Sequence, residues 1–225
     1  MGLRQNLGPE LIVAQVACAA RMARQHDLPP VRNLVFMGMG EPLDNAKATR
    51  RALGVLTEPG GWAFAPRHVT VSSVGPSARA VRLARDWPCR IAWSLHAADD
   101  TTRRALIPTA RASVAELATA FLDLVQARRQ PLFVEMTLID GVNDAPRDAE
   151  LAARLFAGHE RRVRFNLLPV NPTDSGHRPS PRDRAEAFRD RLRERGFFAM
   201  IRRARGQDGR AACGQLVTLS GPGPG

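Results

Sequence analysis

Six short, largely apolar runs divide this chain, and helical patterns fill most of the stretches between them. The runs are Leu34–Met37, Val69–Val71, Arg90–Trp93, Leu132–Ile139, Val163–Leu168 and Phe197–Ile201. Short apolar strands of this kind are expected where a parallel sheet is covered by helices. The intervening helices are predicted over Ala46–Leu56, Ser77–Trp87 and Ser113–Arg128, from Pro146 to Gly158, and from Ser180-Pro181 to Gly196. Ser113 and Glu116 have capping-box spacing, and Val114, Leu117, Phe121, Leu124 and Val125 form an apolar stripe behind them. A further helix over Pro9–His26 carries Ile12, Val16, Ala19, Ala20 and Ala23 on one face, and Pro29-Pro30 stop it. The fold class is therefore α/β. An open doubly wound sheet and a (β/α) barrel both fit, and in both, ligands gather at the C-terminal strand ends. The chain opens on a helix, so a barrel built from it is expected to lack its first strand.

Polar clusters stand where those strands end. The first is Gly38-Met39-Gly40-Glu41-Pro42-Leu43. Its glycines allow positive φ and close backbone approach, and Pro42 stiffens the turn. Turn carbonyls with the Glu41 carboxylate would bind a cationic amine; the plainer reading is an acid at a helix start. Ser72 and Ser73 offer hydroxyls to a ligand, although capping the next helix is the more ordinary use. In Ser94-Leu95-His96, His96 could bond a carboxylate or a ribose, or be structural. Asn171, between Pro169 and Pro172, could read an adenine edge or a ribose, or simply serve a turn. Cys213 lies among Arg202, Arg203, Arg205 and Arg210. Guanidiniums nearby would favour its thiolate, and the same arginines could contact phosphates. Cys18 and Cys89 read as buried apolar fillers.

The formal net charge is +11, and Lys47 is the only lysine. Such an arginine excess points to an anionic partner, nucleic acid first, or to a GC-rich genome. Three widely separated cysteines argue against a disulfide framework and fit a reducing cytoplasm. No apolar run reaches the ~18 residues of a membrane span, and the N-terminus has no signal-peptide core.

Taken in order, Gly38-Met39-Gly40-Glu41-Pro42-Leu43, Ser94-Leu95-His96-Ala97, Asn166-Leu167 through Asn171-Pro172, and Arg205-Gly206 through Ala211-Ala212-Cys213-Gly214-Gln215-Leu216 closely resemble the radical S-adenosylmethionine (SAM) adenine-C2 methyltransferases of 23S rRNA and tRNA. The related adenine-C8 methylase shares most of this pattern. The resemblance implies a partial (β/α) barrel over residues 1–217, with 218–225 as a disordered tail. It implies a SAM site at Gly40, Glu41, Ser72, Ser94, Leu95, His96 and Asn171. It implies that Cys213 is the methyl-carrying cysteine. The implied cofactors are SAM and a 4Fe-4S cluster. The implied partners are 23S rRNA, tRNA and a reductant such as flavodoxin, for a monomer in the cytoplasm. In the family chemistry, the carrier cysteine takes a methyl from one SAM. An adenosyl radical from a second SAM activates that methyl, which then adds to the electron-poor adenine carbon. A second cysteine resolves the adduct.

The sequence departs from its family at the cluster. Cluster iron is held by thiolates, and the family's Cys-x3-Cys-x2-Cys loop has no counterpart among Cys18, Cys89 and Cys213. Nor do the resolving cysteine, the general base and the small RNA-binding domain. Met1 to Leu7 resembles the stretch that follows the third cluster cysteine, so Met1 is expected to be an internal methionine or the chain a fragment. A catalytically dead paralogue that binds SAM or RNA is the alternative, and a non-radical α/β enzyme a third reading.

Overall fold

The computed structural model describes residues 5–170 and 176–202. Asn171 and Cys213 lie outside the described residues, as does the expected tail over 218–225. Among the described residues six strands form one all-parallel sheet: β1 Leu34–Phe36, β2 Val69–Ser73, β3 Arg90–Ser94, β4 Leu132–Leu138, β5 Val163–Pro169 and β6 Phe198–Ile201. Their spatial order is their chain order. Parallel crossovers are right-handed, so each connection advances the sheet by one strand in the same direction and keeps its helix on the same face. That is barrel topology. A doubly wound sheet reverses its strand order partway and does not fit.

The helices are α1 Pro9–Gln25, α2 Ala46–Thr57, α3 Ala78–Arg82, α4 Asp100–Leu106, α5 Val114–Ala127, α6 Pro146–Leu155 and α7 Arg182–Glu194. Strand side chains alternate between faces. Val71, Ile91, Trp93, Val134, Met136, Phe165 and Leu167 are buried in the core shared with the helices. At its centre Trp93 stacks on Phe121 of α5, with ring centroids 5.0 Å apart, and meets Phe156 edge-on at 5.9 Å. The chain of edge contacts continues through Phe165 to Phe197. The alternate positions make a mixed inner face: Val35, Thr70, Ser72, Ser94, Glu135, Thr137, Arg164 and Asn166. It is open in places, and Val35 is 60% exposed.

Several elements differ from expectation. The helix predicted over Ser77–Trp87 is regular only over Ala78–Arg82, then tightens into i→i−3 turns up to Trp87. Pro88 disfavours helical backbone at the residue before it. Ser77 caps α3, accepting from the Ala80 N–H at 3.1 Å. Ser72 and Ser73 therefore do not cap it. Helix α4 was not predicted. It is short and has no long apolar stripe, but Asp99 caps it through the Thr102 N–H at 2.8 Å. Ser113 caps α5 as expected, accepting from the Glu116 N–H. Cys18 is exposed, contrary to the filler reading, because α1 packs on α2 and buries only Ala23 fully. Cys89 is buried. Helix α6 ends at Leu155, and Gly158 serves the turn that follows, with φ +84°. Gly75 has φ +73°, and a Cβ there would lie 3.0 Å from a Phe121 ring carbon, so only glycine fits the turn after β2.

Candidate functional site

The C-terminal ends of β1, β2, β3 and β4 bring the expected site residues together. The apolar β1 ends in the turn that carries Gly40 and Glu41. Gly40 has φ +89°, and nothing lies within 4 Å of where its Cβ would be, so open space faces this turn. The Glu41 carboxylate spans two strand ends. Oε1 accepts from the Leu43 N–H and Oε2 from the Val74 N–H, both at 2.9 Å. Burial pushes its pKa up, while the Leu43, Ser73 and Val74 hydrogen bonds hold it back.

At the same end of the sheet, the Ser72 and Ser94 hydroxyls lie 2.9 Å apart across β2 and β3. Ser73 points to the opposite face, where its Oγ accepts from the Gly75 N–H at 2.8 Å. Leu95 has its side chain wholly in the core. Its N–H donates to the Glu135 carbonyl and its own carbonyl accepts from Arg103 Nε. Its part in any site is to fix the backbone.

His96 sits in the left-handed region, at φ +59°. Its Nδ1 accepts from the Thr137 N–H at 3.1 Å, so the neutral ring carries its proton on Nε2. Burial lowers its pKa to about 4, and the Arg103 charge adds to that shift. The unfolded-state value is about 6.5. Between about pH 6.5 and 4 the unfolded chain binds the extra proton, so His96 subtracts stability as the solution is acidified. Glu41 and Glu135, whose carboxyl pKa values are raised, act in the opposite sense. His96→Asn isolates the imidazole: asparagine tolerates positive φ and its Oδ1 can still accept from Thr137. The Tm of the variant relative to the parent should rise steadily from pH 6.5 to 4. Parallel curves would refute a neutral His96 whose pKa the fold holds down.

Three residues that the sequence reading missed stand at or beside this edge, and the side chains of two of them, Arg103 and Asn143, hold it in place. Arg103, 1% exposed, donates to the carbonyls of Leu95 and Val74 and lies over the Trp93 ring at 5.8 Å. Asn143, also 1% exposed, donates to the carbonyls of His96 at 2.6 Å and Thr137 at 2.8 Å, and accepts from the Ile139 N–H. Glu135 faces inward from β4 and accepts from Asn166 Nδ2 at 2.7 Å. Of the three, Glu135 alone left a clear signal, a charge inside an apolar strand.

The residues fit SAM: an acid spanning two turns, a hydroxyl pair and an imidazole N–H at adjacent strand ends. They do not fit an iron–sulfur cluster. Cys18 is exposed on α1. Cys89 precedes the first residue of β3, at the opposite sheet end from Glu41, and burial pushes its thiol up to about 11. Among the described residues no three His, Cys, Asp or Glu side chains group as metal ligands, and no helix is long and apolar enough to cross a membrane.

No protein-family model matches the chain. It is 43% identical over 222 residues, 98% of its length, to a probable RNA methyltransferase of Sorangium cellulosum, and covers 55% of that protein. It is 42% identical, over 97% of its length, to the dual-specificity RNA methyltransferase RlmN of the same organism, and covers 56% of it. A probable dual-specificity RNA methyltransferase RlmN of Deinococcus deserti is 41% identical over 99% of the chain, which covers 65% of that relative. The chain thus spans somewhat more than half the length of these curated relatives. In structure it resembles a radical SAM methyltransferase from Sphaerobacter thermophilus, with TM-score 0.89 and 41% identity, over 96% of this chain and 63% of that one. A domain of pyruvate-formate lyase-activating enzyme from Bacteroides vulgatus shares the fold, with TM-score 0.60 at 19% identity over 77% of this chain and all of that one.

Proposed function

We propose, for a chain that is a homologue of the radical SAM RNA methyltransferases, that it is the SAM-binding barrel of an enzyme that methylates C2 of adenine in 23S rRNA and tRNA. One observation carries the reading. The Glu41 carboxylate and the Ser72–Ser94 hydroxyl pair stand at adjacent C-terminal ends of a sequentially ordered parallel sheet. There Glu41, with the Gly40 carbonyl, receives the SAM amine. Ser72, Ser94 and the His96 N–H meet its hydroxyls and carboxylate. Leu95 fixes the backbone between them, Asn171 meets the adenosyl group, and Cys213 is the methyl carrier. SAM, when bound, supplies the transferred methyl. No step is routed through a cluster, because the described cysteines, Cys18 and Cys89, do not fit one. The remaining proposals are a flavodoxin-type reductant, a monomeric state and a cytoplasmic location.

The cysteine placement also favours a second reading, a protein that binds SAM and RNA without radical chemistry. Both readings require the same pocket. Titration calorimetry of Met1–Gly225 with SAM tests it. The chain should bind, and Glu41→Gln and Ser94→Ala should each weaken binding about tenfold, as expected for a lost hydrogen bond to a charged or buried group. A chain without SAM affinity, or variants that bind as the parent does, would overturn the assignment.

A further inference from the structure

The inner face of the sheet carries a polar pair that the SAM reading leaves unused. Glu135 of β4 and Asn166 of β5 are register partners, and Glu135 is also the register partner of Ser94. The three side chains therefore form one row on the inner face, running from the proposed SAM site toward β6. Glu135 is 6% exposed. Its Oε1 accepts from Asn166 Nδ2 at 2.7 Å. Among the described residues Oε2 accepts no hydrogen bond. Asn166 is half-buried, and among the described residues its second amide hydrogen and its Oδ1 have no hydrogen-bond partner. The Glu135 backbone is fixed as well, its carbonyl accepting from the N–H groups of both Leu95 and His96. A carboxyl acceptor and an amide donor are thus held side by side on a rigid strand pair.

An adenine edge has the matching order of groups, an N6 amine that donates beside a ring nitrogen that accepts. Enzymes that act on a base read it unstacked, by hydrogen bonds to its Watson–Crick edge. We infer that Glu135 and Asn166 read the adenine of the RNA substrate, Glu135 Oε2 accepting from N6–H and the spare Asn166 N–H donating to N1. The inference rests on the proposed function. SAM also carries an adenine, and the test separates the two sources.

Inosine inverts the edge, with a carbonyl at C6 and an N–H at N1. A site built to bond one pattern rejects the other, because its own polar groups are left unpaired. The probes are two RNA hairpins with a single unpaired loop purine, adenosine in one and inosine in the other. Fluorescence anisotropy measures their binding to Met1–Gly225. The parent should favour adenosine about tenfold. In Glu135→Gln, Asn166 still donates to the amide oxygen, so the site presents an N–H where the carboxyl presented an acceptor. The preference should disappear or reverse. Asn166→Ala should flatten it, which gives a second variant if the first folds poorly by circular dichroism.

SAM affinity should not move in either variant. A loss of SAM affinity with adenosine preference intact would assign the pair to the cofactor's adenine and overturn the RNA assignment. A parent that binds neither hairpin, or both equally, would overturn the inference and leave the SAM site untouched. A parent that binds the hairpins but not SAM would overturn the proposed function instead.

Discussion

Replacing Arg103 with methionine should destabilise this protein by about 3 kcal/mol or more, a large share of the roughly 5–15 kcal/mol that holds a domain folded, since each hydrogen bond to a charged group contributes roughly 1.5–3 kcal/mol. Arg103 is buried to 1% exposure and ties two strand ends together. Its guanidinium donates to Val74 O after β2 and to Leu95 O after β3, and lies over Trp93 in the core. Methionine fills similar volume but leaves both carbonyls without that donor. The damage should be concentrated at the site, because the Val74 N–H is what Glu41 Oε2 accepts from and Leu95 precedes His96. Urea denaturation followed by circular dichroism reads the loss. A variant within about 1 kcal/mol of the parent would show that the buried guanidinium is not the tie described here.

Asn143→Ala should cost about 3 kcal/mol, by leaving three buried or partly buried backbone groups without this partner at once. These are the carbonyls of His96 and Thr137 and the N–H of Ile139. Asn143 also holds His96 in its left-handed conformation, a strained state that persists only where its surroundings enforce it. Asn143→Asp should rescue little. The carboxylate can accept from Ile139 but cannot donate to the two carbonyls. SAM affinity of the folded fraction should fall with stability in both variants. An aspartate variant as stable as the parent would show that the two donated bonds do not anchor the turn.

The order of elements was legible because buried parallel strands leave compact apolar runs, and Leu132–Leu138 or Val163–Pro169 cannot be mistaken for solvent-facing structure. Which side of the sheet a residue faces was legible only once the register was known. Ser72 and Ser73 are neighbours in sequence, yet one pairs with Ser94 on the inner face and the other bonds the Gly75 turn on the helix side. Arg103 was invisible in a chain so rich in arginine, because nothing local marks the one that is buried. Asn143 lay inside a recognised turn, Asp140 to Asp144, but its three bonds include one to His96, 47 residues away in sequence. Glu41, Ser94 and His96 lie on one edge because polar residues that end apolar strands of a parallel sheet collect there; strand pattern left their roles open, and the SAM roles came from the family resemblance. Cys18 was misread because α1 rests on a single helix and exposes most of its surface.

The central claim is that the turns after β1, β2 and β3 form one SAM site. Hydrogen–deuterium exchange of Met1–Gly225, with and without SAM, tests it most directly. SAM should slow exchange together in Gly38–Leu43, Ser72–Gly75 and Ser94–Ala97, and leave the opposite sheet end around Cys89 and Arg162 unchanged. Exchange in those three turns that ignores SAM, or protection confined to the opposite end, would contradict the account.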